Sequence, residues 1–429
     1  MSRKGVLKGL LALSPIAVLL VVYLAGSLMV GDFYRIPIVV AFLIASLYAV
    51  AVSKGVSLSQ KIDTFSRGAA DNRIMLMVWI FVLAGVFASV AKSVGAVEST
   101  VNFTLNIIPA EYLPAGIFIA ACFISMSIGT SVGTIVALTP VVTELAAQTG
   151  CSVAWLVGIV VGGSFFGDNL SFISDTTIAA TQTQGCSMKS KFKANFRLVL
   201  PAAIITLIIY LFNGVEFATD VPKITFDDFV KIIPYAVIIV VALLGVNVLL
   251  VLTLGVVVAA IIGLIYGNLS ILGFFESAGS GISDMSNLIM VTILAGGLLE
   301  IVRVNGGIDF VIGLISSRIR SAKVAECSIV LLTLFANICT ANNTIAILTV
   351  GGISHDIAAK FGVSPRRSAS LLDTTSCVIQ GVLPYGAQLL MASGLALVSP
   401  LEIIPHLYYP MFVGAIVLLS IFFKPFRQK

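Results

Sequence analysis

Residues 167–177 read Gly-Asp-Asn-Leu-Ser-Phe-Ile-Ser-Asp-Thr-Thr, and they interrupt an apolar region that runs from 153 to 183. About 20 apolar residues are enough to cross a bilayer as a helix. Here two carboxylates and several hydroxyl groups lie in the middle of such a region. A carboxylate at that depth costs roughly 2.5–3.5 kcal/mol on insertion scales, so it needs a partner or a function. The stretch therefore predicts a membrane helix that breaks halfway.

The composition of the whole chain is that of a membrane protein. Of its 429 residues, 59% are hydrophobic and only 10% are charged, whereas soluble domains carry about 25% charged residues. Lipid cannot hydrogen-bond the backbone, and the apolar runs are long and continuous, so we expect a helical bundle rather than a β-barrel. The apolar run at 10–30 lacks a convincing cleavage site and is expected to be a retained first helix.

Several functional classes find no support in the sequence. Basic patches interleaved with aromatic residues are missing, so we expect no nucleic-acid partner. The six cysteines lack metal-site spacing and there are only two histidines, which gives no basis for a zinc or haem enzyme. An intramembrane aspartyl protease would carry Gly-x-Gly before Asp168, but Phe165 stands where the first glycine belongs. We therefore expect neither an enzyme nor an organic cofactor.

Uninterrupted and interrupted apolar regions alternate along the chain. We predict uninterrupted spans near residues 9–30, 35–53, 73–92, 194–214, 232–246, 247–267, 285–303 and 403–423. Polar residues and glycines lie at the centre of four longer regions, 114–148, 153–183, 324–360 and 366–398. Each of these four is expected to contain a helix break.

The two halves of the chain are similar to each other. Phe81–Gly85 matches Thr292–Gly296, and the cations that follow, Lys92 and Arg303, keep the same separation of 211 positions. The interrupted regions occur in the same order in both halves, which indicates an internal repeat. We predict a first repeat at 1–217, with a hairpin at 114–148 and a broken helix at 153–183. The second is predicted at 231–429, with a hairpin at 324–360 and a broken helix at 366–398.

The lysine and arginine residues orient the spans, because short loops rich in them stay in the cytoplasm. The basic segments are the two termini and the loops at 54–73, 184–197, 303–323 and 360–367. All these basic segments lie on one side of the membrane if the first interrupted region of each repeat turns back and the second crosses the membrane. Each repeat then has an odd number of crossings. The prediction is an all-α polytopic membrane protein with two inverted-topology repeats, each with a re-entrant hairpin and a broken transmembrane helix, and with cytoplasmic termini.

Broken helices expose backbone carbonyls that bind cations and N–H groups that bind anions, so the breaks are the expected transport site. Oxygen ligands suit a hard alkali cation. The expected ion-binding residues are Asp168, Asn169, Ser171, Asp175, Thr176 and Thr177, with the two aspartates holding sodium. The expected substrate-binding residues are Thr130, Ser131, Thr134, Asn342, Asn343, Thr344, Asp373, Thr374, Gln380, Tyr385 and Gln388.

Structural explanations exist for several of these residues. Asp168 or Asp175 can cap a half-helix at the break, and the Ser, Thr and Asn side chains can satisfy backbone groups at the turns. Asp373 can form an ion pair with Arg366 or Arg367. Charged residues near span ends are expected to be peripheral, namely Lys92, Glu98, Glu144, Glu300, Arg303, Asp309 and Asp356.

The interrupted regions resemble those of a known family. Residues 167–177 resemble the motif of the NhaC family of sodium/proton antiporters, and Gly129–Thr134 matches its upstream Gly-Thr-Ser-x-Gly-Thr stretch. The resemblance covers most of the chain and implies the inverted repeats of the Ion Transporter superfamily. It also implies cation/proton exchange at Asp168 and Asp175 in the bacterial cytoplasmic membrane, and it suggests a homodimer. Phe172 departs from the family pattern, which usually has proline after the serine.

Two transport functions remain open at this point. One is sodium/proton antiport by alternating access, with carboxylates exchanging a proton for sodium and with these two ions as the coupling ions. The other is sodium- or proton-coupled transport of an amino acid or small organic carboxylate, because relatives of the family carry such solutes. A channel is disfavoured, since two symmetric broken helices indicate alternating access. The second break has Pro384, Tyr385 and Gln388 in place of aspartates, so we expect the coupling ion in the first repeat's half.

Overall fold

The computed structural model describes residues 3–25, 37–53, 55, 57–172, 174–214, 224–316 and 319–423. Within these ranges every regular element is a helix, and nine helices, or up to ten if a bent pair is one span, are long and apolar enough to cross a membrane. The predicted all-α membrane architecture is confirmed. Parts of the sequence predictions lie outside the described residues, namely the end of the first span at 26–30, the start of the second at 35–36, the end of the first repeat at 215–217, Lys54, Arg318 and the cations at 424–429.

The helices of the two halves follow each other in the same order. The first half contains α1 (Arg3–Leu20), α2 (Ile38–Val52), α3 (Leu58–Ala69), α4 (Asn72–Val94), α5 (Ala96–Ile107), α6 (Leu113–Ile128), α7 (Ser131–Thr149), α8 (Val153–Leu170), α9 (Asp175–Gln184) and α10 (Met188–Phe212). The second half contains α11 (Phe226–Leu243), α12 (Val248–Ile265), α13 (Ile271–Asp284), α14 (Ser286–Val304), α15 (Gly307–Ser316), α16 (Ala322–Thr340), α17 (Asn343–Phe361), α18 (Pro365–Val382), α19 (Ala387–Ala396), α20 (Pro400–Ile403) and α21 (Tyr408–Phe422).

All four interrupted regions contain a helix break where the sequence predicts one. The two hairpin tips share one backbone geometry. Gly129 and Ala341 have positive φ values of 77° and 49°, and the next residues, Thr130 and Asn342, are extended. A left-handed residue followed by an extended one ends one helix and starts the next within two positions. The same solution at both tips agrees with an internal repeat.

Some described helices lie where the sequence predicts loops, namely α3, α5, α13 and α15. They are too short to span a bilayer, so span-length hydropathy does not detect them. In α3, Ser57 and Gln60 form a capping box, while Leu58 and Ile62 are exposed. An amphipathic helix with exposed apolar side chains is typical of the membrane interface. The predicted basic loop at 184–197 is also largely helical, because α10 begins at Met188.

Equivalent helices of the two repeats exchange their packing partners. α4 of the first repeat packs against α12 and α13 of the second, and α14 of the second packs against α2 and α3 of the first. This exchange is the arrangement that a two-fold axis between inverted repeats produces. The broken helices lie inside this frame. In the first, 88% of the most apolar stretch is buried within the protein, and Asp168, Asn169 and Ser171 at its break are buried as well.

Candidate ion-binding site

The tip of the first hairpin binds Asp168. The Asp168 side chain is 4% exposed, and its Oδ1 accepts a hydrogen bond from the Ser131 N–H at 3.0 Å. Its Oδ2 accepts one from the Ser131 hydroxyl at 2.5 Å. Hydrogen bonds to a charged group contribute about 1.5–3 kcal/mol each, which offsets the cost of burying the carboxylate.

Asp168 also caps a helix, as one of the structural explanations anticipated. Ser131 is the first residue of α7, and the side chain of the preceding Thr130 makes no capping hydrogen bond. Asp168 supplies the missing acceptor from the end of α8, so the capped helix belongs to the hairpin and not to the broken helix. The carboxylate thereby joins the first break to the first hairpin tip.

Hydrogen bonds continue from Ser131 into the second repeat. The Ser131 Oγ accepts from the Gln388 Nε2 at 3.0 Å, and the Gln388 Oε1 accepts from the Gln380 Nε2 at 2.9 Å. The Gln380 Nε2 also donates to the Ala341 carbonyl oxygen at 3.1 Å. Ala341 lies at the second hairpin tip. One chain of polar groups therefore connects both helix breaks and both hairpin tips.

A second polar centre surrounds Lys191 of α10. Its ammonium nitrogen lies 2.8 Å from the Asp373 Oδ2 and donates to the Asn169 carbonyl oxygen at 3.0 Å and to the Thr177 hydroxyl at 2.6 Å. The side chains of Lys191 and Asp373 are only 1% and 0% exposed. The sequence places Lys191 in a cytoplasmic loop, which is wrong because α10 carries it into the protein interior.

The structure corrects two expectations about the acidic residues. Asp175 is exposed in the first turn of α9, and within the described part of the chain its carboxylate makes no hydrogen bond. No hydrogen bond among the described residues joins it to Asp168, which is buried, so the two aspartates lie in different surroundings. Asp373 binds Lys191 rather than Arg366 or Arg367. The Arg367 guanidinium instead pairs with Glu326 at 2.9 Å.

Three other expected ion-binding residues, Thr176, Thr177 and Asn169, form hydrogen bonds at or beside the first break. The Thr176 hydroxyl donates to the Asp168 carbonyl oxygen at 3.3 Å. The Thr177 hydroxyl donates to the carbonyl oxygen of Ser171 at 2.9 Å. The Asn169 amide nitrogen donates to the Tyr409 hydroxyl at 3.1 Å. These contacts hold the released carbonyls of α8 in a fixed, buried arrangement.

The break in the first repeat forms without the proline that the NhaC pattern usually has. Phe172 occupies that place, and its ring stacks on Phe192 of α10 with 4.7 Å between centroids. Even so, α8 ends at Leu170 and α9 begins at Asp175.

The remaining expected substrate residues bind backbone groups near them. Asn342 accepts from the Ile345 N–H at 3.0 Å and so caps α17. The Tyr385 hydroxyl donates to the Ile338 carbonyl oxygen at 2.8 Å. Backbone partners are likewise bound by the side chains of Thr134, Asn343 and Thr374. Thr344 donates its backbone N–H to the Asn343 side chain. Such contacts are those expected of Thr, Asn and Tyr side chains that satisfy backbone groups near the turns.

Sequence reasoning missed Lys191, Asn195 and Tyr409. The Asn195 amide nitrogen donates to the Asp373 Oδ2 at 2.5 Å and to the Asn169 carbonyl oxygen at 2.8 Å, so it binds two of the acceptors that Lys191 binds. Lys191 and Asn195 are four residues apart, which puts them on one face of a helix. This spacing could have identified both side chains as neighbours, but residues 184–197 were predicted to form a loop.

Two cavities lie at equivalent places beside the exchanged helix pairs. One, of about 280 Å³, is lined by residues that include Gly85, Lys92, Glu144 and Gly281. The other, of about 460 Å³, is lined by residues that include Gly68, Gly296, Glu300 and Arg303. The repeat relationship pairs Gly85 with Gly296 and Lys92 with Arg303. The cavities are thus counterparts on the two repeats, and four of the seven charged residues expected to be peripheral line their walls, namely Lys92, Glu144, Glu300 and Arg303.

Only the larger of these two cavities adjoins a hairpin tip. It shares Ile74, Gly296 and Thr340 with a smaller cavity of about 50 Å³ that reaches Asn342 and Tyr385. No residue of either tip lines the 280 Å³ cavity. The second hairpin tip therefore borders a cavity that continues towards Arg303.

Comparison with known proteins identifies the family. A model of the Na+/H+ antiporter family matches residues 6–215 and 223–424. The chain belongs to this family. It is 22% identical to the Na(+)/H(+) antiporter NhaC of Bacillus subtilis, over 84% of each chain. It is also 22% identical to the malate-2H(+)/Na(+)-lactate antiporter of the same organism, over 92% of this chain and 91% of that protein.

This family member also matches a second NhaC protein and a solved transporter structure. It is 21% identical to the Na(+)/H(+) antiporter NhaC of Alkalihalophilus pseudofirmus, over 91% of this chain and 89% of that protein. The solved structure of the Alcanivorax borkumensis YdaH transporter covers 84% of this chain, with a TM-score of 0.42 and 11% identity. The NhaC resemblance and the function as a secondary sodium/proton antiporter are confirmed by the family match.

Proposed function

We propose that this antiporter binds sodium and protons in turn at Asp168, at the point where both helix breaks and both hairpin tips meet. The buried contact between Asp168 and the Ser131 N–H and hydroxyl carries this proposal. A carboxylate at the centre of a membrane protein is costly and marks an ion pathway. Here it also lies at the end of a broken helix, where backbone oxygens are free to join it.

Sodium would take its ligands from the oxygens around this point. The Asp168 carboxylate, the Ser131 Oγ and the carbonyl oxygens at the end of α8 are hard donors of the kind that alkali cations prefer. A proton on the carboxylate removes the negative charge that attracts sodium. Because both ions use the same oxygens, binding of one excludes the other. That competition is the basis of exchange when the site faces each side of the membrane in turn.

The two equivalent cavities would be the two access routes. We place the cavity that contains Arg303 on the cytoplasmic side, because Arg67 and Arg303, from two of the basic segments, line it. Both termini then lie in the cytoplasm, and the repeats are bounded at 1–217 and 231–429. The family resemblance further suggests a homodimer. In this conformation the cytoplasmic route would be open as far as Asn342, and alternating access would exchange the roles of the two tips.

Transport in proteoliposomes tests the proposal. Wild-type protein is expected to move protons outward when sodium is added outside, and Asp168→Asn is expected to lose this flux. The amide has no charge to hold sodium and cannot exchange a proton. Glu98→Gln is a matched control, since Glu98 is exposed in the first turn of the short helix α5. Undiminished sodium-dependent flux in Asp168→Asn would sink the proposal.

An organic acid is the second candidate cargo, because one relative is a malate-2H(+)/Na(+)-lactate antiporter. The cavity of about 50 Å³ beside Asn342 shares lining residues with the cavity of about 460 Å³, so an organic anion would have a route to the second hairpin tip. Counterflow assays with malate, lactate and an amino-acid panel separate the two, and saturable uptake of any of them would favour the organic cargo.

A further inference from the structure

The Lys191 ammonium is bound by oxygens that a metal cation would use. Its three partners are the Asp373 carboxylate, the Asn169 carbonyl and the Thr177 hydroxyl. They come from α18, from the end of α8 and from α9, so they belong to both broken helices. Carboxylate, carbonyl and hydroxyl oxygens are also the donors that hard cations take in proteins. The lysine therefore occupies a position built like an alkali-cation site.

The surroundings of Lys191 contain more acceptors than donors. Within the described part of the chain, the Asp373 Oδ1 and the side-chain oxygens of Asn169 and Asn195 are buried and have no hydrogen-bond partner. The oxygen and nitrogen of the Asn195 amide cannot exchange places, because both partners of the nitrogen, the Asn169 carbonyl and the Asp373 carboxylate, only accept hydrogen bonds. Buried acceptors without donors are rare in native proteins. The unpartnered Asp373 Oδ1 belongs to the carboxylate that Lys191 binds, so this pocket favours positive charge.

Nearby arginines do not supply that charge. Arg367 is held by Glu326 and by the Ser420 hydroxyl, and Arg366 is exposed. Lys191 alone among the described residues forms an ion pair with Asp373. Neutralisation of Asp373 in the folded protein thus depends on a single side chain that reaches it from the first repeat.

We propose that the Lys191 ammonium is a tethered cation that permanently fills a second sodium position at Asp373. It thereby limits the antiporter to one exchanged sodium ion, at Asp168. This inference rests on the proposed sodium site and adds the residue that sets how many ions bind. It predicts that removal of the lysine charge, with Asp373 kept, opens the second position to sodium.

Equilibrium binding of radioactive sodium to the purified full-length protein tests this inference. At alkaline pH, where free carboxylates are ionised, the wild type is expected to bind one sodium per chain and Lys191→Met two. Lys191→Arg keeps the charge and should stay at one. The double variant Lys191→Met/Asp373→Asn should return to one. Lys193→Met, an exposed lysine two residues along the same helix, is the matched control and should also bind one.

Thermal denaturation guards against a variant that simply fails to fold. Lys191→Met should be destabilised in choline chloride and should regain stability in sodium chloride, with a larger sodium-dependent rise in Tm than the wild type. A single bound sodium in Lys191→Met overturns the inference, and so does a variant that stays unfolded in sodium. Absence of sodium binding to the wild type would instead contradict the proposed site at Asp168.

Discussion

The backbones of Gly85 in α4 and Gly281 in α13 contact each other so closely that neither position has room for a Cβ atom. The nearest atom to a Cβ on either glycine would be the carbonyl oxygen of the other. The equivalent helices of the exchanged repeats, α3 and α14, make the same contact through Gly68 and Gly296. These pairs fix the frame around the broken helices, since backbone atoms cannot move aside as a flexible side chain can.

Gly281→Ala should therefore destabilise the protein. The added methyl group must push α4 and α13 apart, and overpacking of this kind costs roughly 1–3 kcal/mol. Gly279→Ala on the same helix is the control, because nothing lies within 4 Å of its Cβ position, and it should gain up to about 1 kcal/mol of helix propensity. Thermal denaturation in detergent measures both. Equal Tm values for the two variants would contradict the contact.

Ser131→Ala should weaken sodium binding without unfolding the protein. It removes the hydroxyl that joins Asp168 to Gln388, and a hydrogen bond to a charged group is worth about 1.5–3 kcal/mol. The sodium concentration for half-maximal flux should then rise by roughly tenfold or more. Ser127→Ala on the same hairpin is the control, because its hydroxyl binds the Phe123 carbonyl oxygen at the surface. An unchanged half-maximal concentration in Ser131→Ala would argue against a role for the hydroxyl.

Glu326→Gln should be strongly destabilising. The Glu326 carboxylate lies 2.9 Å from Arg367 and both side chains are buried, so the variant leaves a buried cation without its counter-charge, at a cost of about 3–5 kcal/mol. Glu300→Gln breaks an ion pair of similar length in which Arg303 is 61% exposed, and it should cost less than about 1 kcal/mol. Comparison of the two Tm values checks this, and a larger drop in Glu300→Gln would refute it.

The hairpin tips should respond differently to exchange of glycine and alanine. Gly129→Ala places a Cβ at a φ of 77° and should cost about 1–2 kcal/mol of backbone strain. Ala341→Gly relieves the same strain at a φ of 49° and should change stability by less than about 1 kcal/mol, because glycine also loses more chain entropy on folding. Denaturation midpoints of both variants test this. A similar loss in each would show that the tips are not equivalent.

Most of the architecture could be predicted because lipid imposes simple rules on sequence. Long apolar segments gave the spans, and the polar residues within them located every helix break to within a few positions. The short helices α3, α5, α13 and α15 were not predicted, since segments of this length leave no span-length hydropathy signal. Lys191 was misplaced for a related reason. A cation near the end of an apolar run is predicted to lie in a loop. The structure shows that the helix extends beyond the apolar run and includes Lys191.

The sequence by itself determined the fold class, the four helix breaks and Asp168 as a candidate site residue, because these follow from the cost of polar groups in lipid. Tertiary structure decided which partner each carboxylate has. Asp168 binds Ser131 of the hairpin, Asp373 binds Lys191 of the other repeat, and Asp175 is exposed. Spacing along one helix identifies only neighbours on the same face. The contact of Asp168 with Ser131, 37 positions away, depends on how the first hairpin packs on the broken helix, and that of Asp373 with Lys191 depends on how the two repeats pack together.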